Sequence, residues 1–215
     1  YRANPTAGFS IVSYTGNTSA STVAHGLNSE PKMIIVKDRD SGSWNWQINH
    51  ASLAADESLI FYDTAAADYN AWNDTRPTST VFSLGGNISG VSANGNEHIA
   101  YIWSEVENYS SFGKYLGNNS ADGAFVWCGF RPAYILTKGI DDPDDWYIRD
   151  VARSPYNVVD NPLRQDSGSE YSGRSIDILS NGFKIRDADN QINEDGKSYL
   201  YCAFAEHPFK YARAR

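Results

Sequence analysis

The tetrapeptide Tyr14-Thr15-Gly16-Asn17 has a closely similar copy later in this chain, and this repetition indicates the architecture of the protein. Tyr115-Leu116-Gly117-Asn118 lies 101 positions later. The same offset relates three further pairs of identical residues, namely Pro31 and Pro132, Lys37 and Lys138, and Glu105 and Glu206. An offset kept over most of 215 residues indicates a duplicated unit of about 100 residues.

Short strand-like segments separated by turn residues surround both copies of this motif. Residues 9–14 alternate between apolar and polar side chains, and Gly16-Asn17 supplies a turn. Residues 32–37 are apolar in the middle, as in a strand that is buried on both faces. Strands at roughly ten-residue spacing predict an all-β fold. We expect two tandem β-sandwich-like repeats, residues 8–108 and 109–215, packed with pseudo-twofold symmetry after an N-terminal linker at residues 1–7.

The charge and hydropathy of the chain exclude some classes of partner. Its net charge is −8, which argues against a nucleic-acid partner because such proteins cluster Lys and Arg. No segment approaches the roughly 20 consecutive apolar residues that a membrane helix needs, so we expect no membrane insertion. The chain begins at Tyr1 without Met, which we interpret as a mature product or a piece of a longer polypeptide.

The two cysteines, Cys128 and Cys202, both lie in apolar strand-like runs of the second repeat. We expect buried free thiols, which pack as small apolar side chains. A disulfide between them is the alternative. Neither belongs to a metal-binding spacing, so zinc is not expected.

Catalysis has weak support in the sequence. Glycoside hydrolysis needs two carboxyl groups in different environments. Glu105 and Glu206 occupy equivalent positions in the two repeats, which favours a repeated structural role over an acid and base pair. None of the four histidines lies in a nucleophile motif. We therefore expect that the chain is not an enzyme.

Carbohydrate binding suits a β module that is rich in aromatic residues, because rings stack on sugars while polar groups bind the hydroxyls. The polar stretch 63–80 supplies four candidate ligand-binding residues, which are Tyr69, Asn70, Trp72 and Asp74. Tyr69-Asn70 matches Tyr156-Asn157 at an offset of 87, which indicates an insertion or deletion, and on this alignment the second repeat has Val159 at the position of Trp72. The shared scaffold therefore does not require this ring, although a core role is the more common explanation for it. Trp44, Trp46 and Trp146 recur at similar places in both repeats, which favours core packing.

Calcium is the one cofactor that the sequence suggests, through Asp187, Asp189 and Asn193. Their segment begins like an EF-hand loop but lacks the glycine at the sixth position and the flanking helices. The acidic stretch 141–145 is a second candidate. A solvated acidic loop is the more common explanation for both.

Several segments of the chain together carry one resemblance to a known family. They are segments 8–17, 25–27, 31–37, 156–161, 176–184 and 205–210, and the resemblance covers residues 8–215. These segments resemble an uncharacterised duplicated domain at the C-terminus of marine bacteriophage tail-fibre and other virion structural proteins. It offers no catalytic residues to transfer.

This resemblance implies a non-enzymatic module on the virion surface, outside the host cell, that serves host attachment or particle architecture. Its expected partners are other virion subunits, with a homo-oligomer in the full-length protein, and a host surface glycan as candidate ligand. The alternatives are a secreted carbohydrate-binding module and a glycan depolymerase. Exposed aromatic residues would favour glycan binding, whereas an apolar surface patch would favour contact with a neighbouring subunit.

Overall fold

The computed structural model describes residues 1–62, 64–165 and 170–207, and their structure confirms the predicted all-β fold. The described residues form 17 strands and one four-residue helix. The chain divides into two compact units. Unit 1 comprises Tyr1–Phe61 and Ala66–Glu105, and unit 2 comprises Tyr62–Ala65 and Val106–Arg215. The end of the second predicted repeat, residues 208–215, lies outside the described residues.

Unit 1 contains a seven-stranded and a two-stranded antiparallel sheet. The larger sheet has the order β1 (Arg2–Asn4), β2 (Phe9–Thr15), β9 (Glu97–Ser104), β4 (Pro31–Asp38), β5 (Gln47–His50), β6 (Glu57–Ile60) and β7 (Ala67–Asp68). The smaller sheet pairs β3 (Ser21–Ala24) with β8 (Val81–Leu84). Strand β1 pairs with β2, so the expected linker at residues 1–7 in fact contains an edge strand.

Alternating side chains of both sheets form the core of unit 1. Val12, Ile34 and Ile102 from the larger sheet contact the same apolar cluster as Phe82 and Leu84 from β8. The middle of β4 is buried on both faces, as the apolar run at residues 32–37 predicted. A strand covered on both faces has no need of polar alternation, which explains its sequence.

Unit 2 contains a five-stranded and a three-stranded antiparallel sheet. The larger has the order β10 (Ser110–Leu116), β17 (Ser198–Ala205), β12 (Pro132–Gly139), β13 (Trp146–Asp150) and β14 (Leu163–Arg164). The smaller has the order β11 (Phe125–Trp127), β16 (Gly182–Ile185) and β15 (Ile176–Leu179). Helix α1 (Asn190–Asn193) precedes β17.

The core of unit 2 also takes side chains from both of its sheets, among them Tyr115, Tyr201, Val126 and Phe183. Cys128 and Cys202 are both buried and do not form a disulfide, as expected. Burial raises the pKa of the Cys202 thiol to about 12, because the thiolate loses its hydration there. These cysteines are therefore packing residues.

The two larger sheets share one hydrogen-bonding register. Every pair between β2 and β9 recurs between β10 and β17 with both numbers raised by 101, from Phe9 and Trp103 to Ser110 and Phe204 onward. The pairing of β4 with β9 recurs in the same way between β12 and β17, including the irregularity after Pro31 and after Pro132. The offset found in the sequence is thus also an offset in strand pairing.

The repeated tetrapeptide lies at the end of β2 in unit 1 and of β10 in unit 2. There it contacts the turn that precedes the neighbouring strand of the sheet, which is β9 in unit 1 and β17 in unit 2. Gly16 N donates to Asn96 O at 2.9 Å, and Gly95 N donates to Gly16 O at 3.0 Å. The Tyr14 hydroxyl donates to Val91 O at 2.6 Å. The Tyr115 hydroxyl makes the equivalent bond to Ile192 O at 2.9 Å.

Glycine is required in the motif because the backbone of the turn lies against its Cα. A Cβ on Gly16 would lie 2.2 Å from Ala93 O, and one on Gly117 would lie 2.1 Å from Glu194 O. No side chain fits at either distance. The motif is therefore a structural contact in both units.

Replacing Gly16 by Ala should destabilise the protein by about 1–3 kcal/mol, since the turn must move to admit the methyl group. Gly42→Ala is the matched control, because a Cβ there has no atom within 4 Å, and its effect should stay within about 0.5 kcal/mol. Urea unfolding of both variants measures the difference. Equal midpoints for the two would contradict the contact.

Candidate functional site

A surface groove in unit 1 combines exposed aromatic rings with amide side chains. It has a volume of about 510 Å³. Its lining residues are all uncharged, namely Trp44, Asn45, Gln47, Ile60, Tyr69, Asn87, Ile88 and Ser89. Trp44 is 42% exposed and Tyr69 is 37% exposed, so both rings are accessible to a ligand.

Trp44 lies in the loop between β4 and β5, which is fastened at both ends. The Asp38 carboxylate accepts hydrogen bonds from the amides of Asp40 at 2.9 Å and Ser41 at 3.0 Å. The Lys37 ammonium donates to the Trp44 carbonyl and to the Ser41 carbonyl. These contacts hold the loop that presents the indole.

Asp38 itself stays ionised although it is fully buried. Burial acts to raise its pKa, but hydrogen bonds from the Asn96 side chain and the amides of Ser41 and Asp40 outweigh it, and His98 adds to them. The pKa of Asp38 therefore falls below its usual value. A charged acceptor makes stronger hydrogen bonds to amides than a neutral one, which suits a loop anchor.

Gln47 and Asn45 form a polar wall of the groove. The Gln47 amide oxygen accepts from Ser58 Oγ at 2.9 Å, which fixes the amide orientation. Gly90, with φ of +88°, lies against this wall, and a Cβ there would lie 3.2 Å from Asn45 O and from Gln47 Cγ. The wall is therefore held by packing and by hydrogen bonds.

Tyr69 and Asn87 complete the rim from two tight turns. The amide of Asn70 donates to Asp68 Oδ1 at 2.7 Å, and this turn projects Tyr69 directly after β7. Asn87 N donates to Asn17 O at 2.9 Å, while its side-chain oxygen accepts from Asn94 N at 3.2 Å. Asn17 is the last residue of the repeated tetrapeptide, so the motif positions one edge of the groove.

The structure brings only one of the four predicted ligand-binding residues into the groove, and that residue is Tyr69. Trp72 is 2% exposed and packs in the core of unit 1, which agrees with the core role considered for it and removes it from the candidate ligand-binding residues. Asn70 and Asp74 are exposed in turns with positive φ, but neither lines the groove. The turn that buries Trp72 depends on contacts distant in sequence.

The expectation that Trp44 and Trp46 are core residues is wrong. Trp46 is 38% exposed and stacks on Tyr101 at 6.2 Å between ring centroids. Only Trp146 of the three is fully buried. Strand β5 begins at Gln47, so both Trp44 and Trp46 lie in the loop before it. The polar residues 38–43 before Trp44 were the available signal for a loop position.

The three predicted metal ligands are engaged in other contacts. Asp187 accepts from Arg174 N at 2.7 Å and from Asp189 N at 3.1 Å. Asp189 caps helix α1 at Gln191 N and pairs with Arg174 at 3.1 Å. Asn193 is buried and donates to Ser120 O and Asp187 O. In the described ranges, no group of three or more His, Cys, Asp or Glu side chains is placed to hold a metal ion.

The acidic stretch 141–145, the second calcium candidate, is likewise held by the protein. Asp142 pairs with Lys197 at 2.7 Å, and Asp145 pairs with Arg164 at 3.1 Å. Asp144 lies against Gly139, where a Cβ would lie 1.9 Å from its carboxylate. Burial raises the pKa of Asp144 to about 6, against a smaller opposing effect of Lys138. Asp142 and Asp145 are therefore held by ion pairs, whereas ionised Asp144 costs the folded state stability.

The comparisons with known proteins give the family of the chain. A family model described as a domain of unknown function, DUF7483, matches residues 1–208, and the chain belongs to this family. Searches of curated proteins and of solved structures returned no significant match. Across the described part of the chain, no helix is both long and apolar enough to span a membrane.

Asp144→Asn should stabilise the protein relative to wild type above pH 6. The folded-state pKa of about 6 exceeds the usual 3.8, so the folded wild type loses stability as the pH rises from about 4 to 6. Asparagine does not ionise, so the variant does not lose this stability. Thermal unfolding at pH 4 and at pH 8 measures it, and Asp74→Asn, at an exposed carboxylate that is not among the groups acting on the pKa of Asp144, should show no such gain. A wild type as stable as the variant at pH 8 would contradict this account.

Proposed function

We propose that this chain is a non-enzymatic binding module of the virion surface, and that it attaches to an uncharged glycan through the groove in unit 1. The observation that carries the proposal is the pairing of two exposed rings, Trp44 and Tyr69, with the amides of Asn45, Gln47 and Asn87. Aromatic rings stack on the apolar faces of sugars, and amides bind hydroxyl groups both as donors and as acceptors.

The charge of the groove supports an uncharged ligand. All eight lining residues are neutral, while the whole chain carries a net charge of −8. An acidic polysaccharide would be repelled by the chain and would find no cation in the lining. A neutral glycan is not repelled by the acidic chain and needs no cation in the lining.

The size and rigidity of the groove also suit a small saccharide segment. Its volume of about 510 Å³ lies within the range of small-ligand sites. The anchored loop at residues 38–44 and the turn at Asn87 present the polar groups in fixed positions, which lowers the entropy cost of binding.

The virion setting rests on the resemblance of the repeated segments to bacteriophage virion proteins. In that setting the module lies outside the host cell, contacts other virion subunits and recognises the host surface. The constant offset of 101 in sequence and in strand pairing supports a tandem duplication of one unit. A secreted carbohydrate-binding module would use the same groove.

A glycan depolymerase is the weaker candidate. Hydrolysis of a glycosidic bond needs two carboxyl groups across the bound sugar, and the residues lining this groove contribute none. Glu206, one of the two equivalent glutamates, pairs with Arg131 at 2.8 Å. That contact agrees with a structural role for this residue.

An array of neutral and acidic oligosaccharides tests the proposal directly. We expect binding to neutral glycans, and a loss of roughly tenfold or more in affinity for Trp44→Ala and for Tyr69→Ala, because each removes a stacking face. Tyr156→Ala is the control, since Tyr156 is a highly exposed aromatic residue of unit 2 that does not line the groove.

Three outcomes would overturn the proposal. The first is a wild type that binds no neutral glycan, and the second is equal affinity of wild type and both groove variants. The third is release of reducing sugar from a bound polysaccharide, which would favour the depolymerase instead.

A further inference from the structure

A second groove lies in unit 2, along the side where strands β10 and β11 are the outermost strands of their sheets. Its volume is about 590 Å³. Tyr115, Val126 and Tyr201 are core residues that form its buried part. Three large apolar side chains are exposed around it, with Leu116 at 61%, Phe125 at 47% and Trp127 at 66%.

Strand pairing shows that the scaffold does not require these three side chains. Strand β16 follows β8 at the offset of 101, so Phe183 stands at the place of Phe82. Val23 pairs with Phe82 and Val126 pairs with Phe183, so β11 follows β3 at an offset of 126 − 23 = 103. The residues that correspond to Phe125 and Trp127 are therefore Thr22 and Ala24. The residue that corresponds to Leu116 is Thr15, and all three unit 1 residues are exposed.

A large apolar residue at an exposed position adds little to stability, because most of its surface stays in water. Single exposed apolar residues are common, whereas a group of them marks an interaction surface. Tryptophan and phenylalanine are also enriched at protein interfaces. Three changes from Thr, Thr and Ala to Leu, Phe and Trp around one groove therefore point to a bound partner.

The charges around this groove favour a second copy of the same chain. Lys114 lines the groove and is exposed, and Asp122 is exposed just before β11. Asp122 pairs with Lys184 at 2.6 Å, and Arg186 pairs with Asp177 at 2.7 Å. The surface around the groove therefore carries both signs of charge. Two copies of a chain with a net charge of −8 can meet here through opposite charges instead of like charges.

We propose that the groove between β10 and β11 is the contact surface between two copies of this chain, related by a twofold axis, with Leu116, Phe125 and Trp127 buried in the contact. In a twofold contact the same surface of each copy faces the other, so charges that meet there are complementary only if the surface carries both signs. Lys114 supplies the positive charge and Asp122 the negative one. Lys114 also disfavours open-ended addition of strands to β10, since a lysine on an edge strand opposes continued pairing. A closed dimer satisfies both conditions.

Sedimentation equilibrium of the whole chain at increasing concentration tests this inference. Wild type should approach the mass of a dimer and dissociate on dilution. The variant with Leu116→Thr, Phe125→Thr and Trp127→Ala carries the residues of unit 1 and should remain monomeric, with a dissociation constant raised at least tenfold. The single variant Trp127→Ala should shift it in the same direction, and circular dichroism checks that each variant is folded.

The variant with Trp44→Ala and Tyr69→Ala is the matched control, since it removes two exposed rings of unit 1 and should keep the wild-type dissociation constant. A monomeric wild type at the highest concentration would overturn the proposal, and so would a trimer or a triple variant that dimerises like wild type. These outcomes are independent of glycan binding, so this proposal and the proposed function stand or fall separately.

Discussion

The close approach of a turn to the glycine of the repeated tetrapeptide is the constraint on which the other features depend. At Gly16 and at Gly117 the turn carbonyl occupies the space of a side chain, and paired backbone hydrogen bonds hold the strand end to the turn. This contact aligns β2 with β9 in unit 1 and β10 with β17 in unit 2. In unit 1 the next residue, Asn17, binds the amide of Asn87, so the same contact reaches the rim of the candidate glycan groove.

The two units show how one scaffold accommodates different side chains at equivalent positions. Gly139 of unit 2 stands where unit 1 has the buried Asp38, and the carboxylate of Asp144 lies against that glycine. A carboxylate is thus kept near one place in both units but comes from different positions in the chain. Surface positions change more freely, because a side chain that stays in water contributes little to folding. Differences in function are therefore concentrated there.

Much of the fold was predictable from short-range patterns. The alternation in residues 9–14 and the apolar run at 32–37 correspond to β2 and β4. The candidate site was less accessible to prediction. Of its rings only Tyr69 was expected, because Trp44 was predicted to pack in the core, whereas it lies in the loop before β5. A side chain beside a strand end can be buried or exposed, and distant contacts select between the two.

The amino-acid sequence alone predicts the offset of 101, the all-β class and the burial of the two cysteines, because each follows from local spacing and side-chain chemistry. The structure, and not the sequence, decides between free thiols and a disulfide. Tertiary structure alone places Trp72 in the core and Trp44 at the surface, and engages Asp187, Asp189 and Asn193 in structural hydrogen bonds. The physical reason is the same in each case. Exposure and hydrogen-bond partners depend on segments far apart in the chain, such as Asn17 with Asn87, and no local pattern encodes which segments meet.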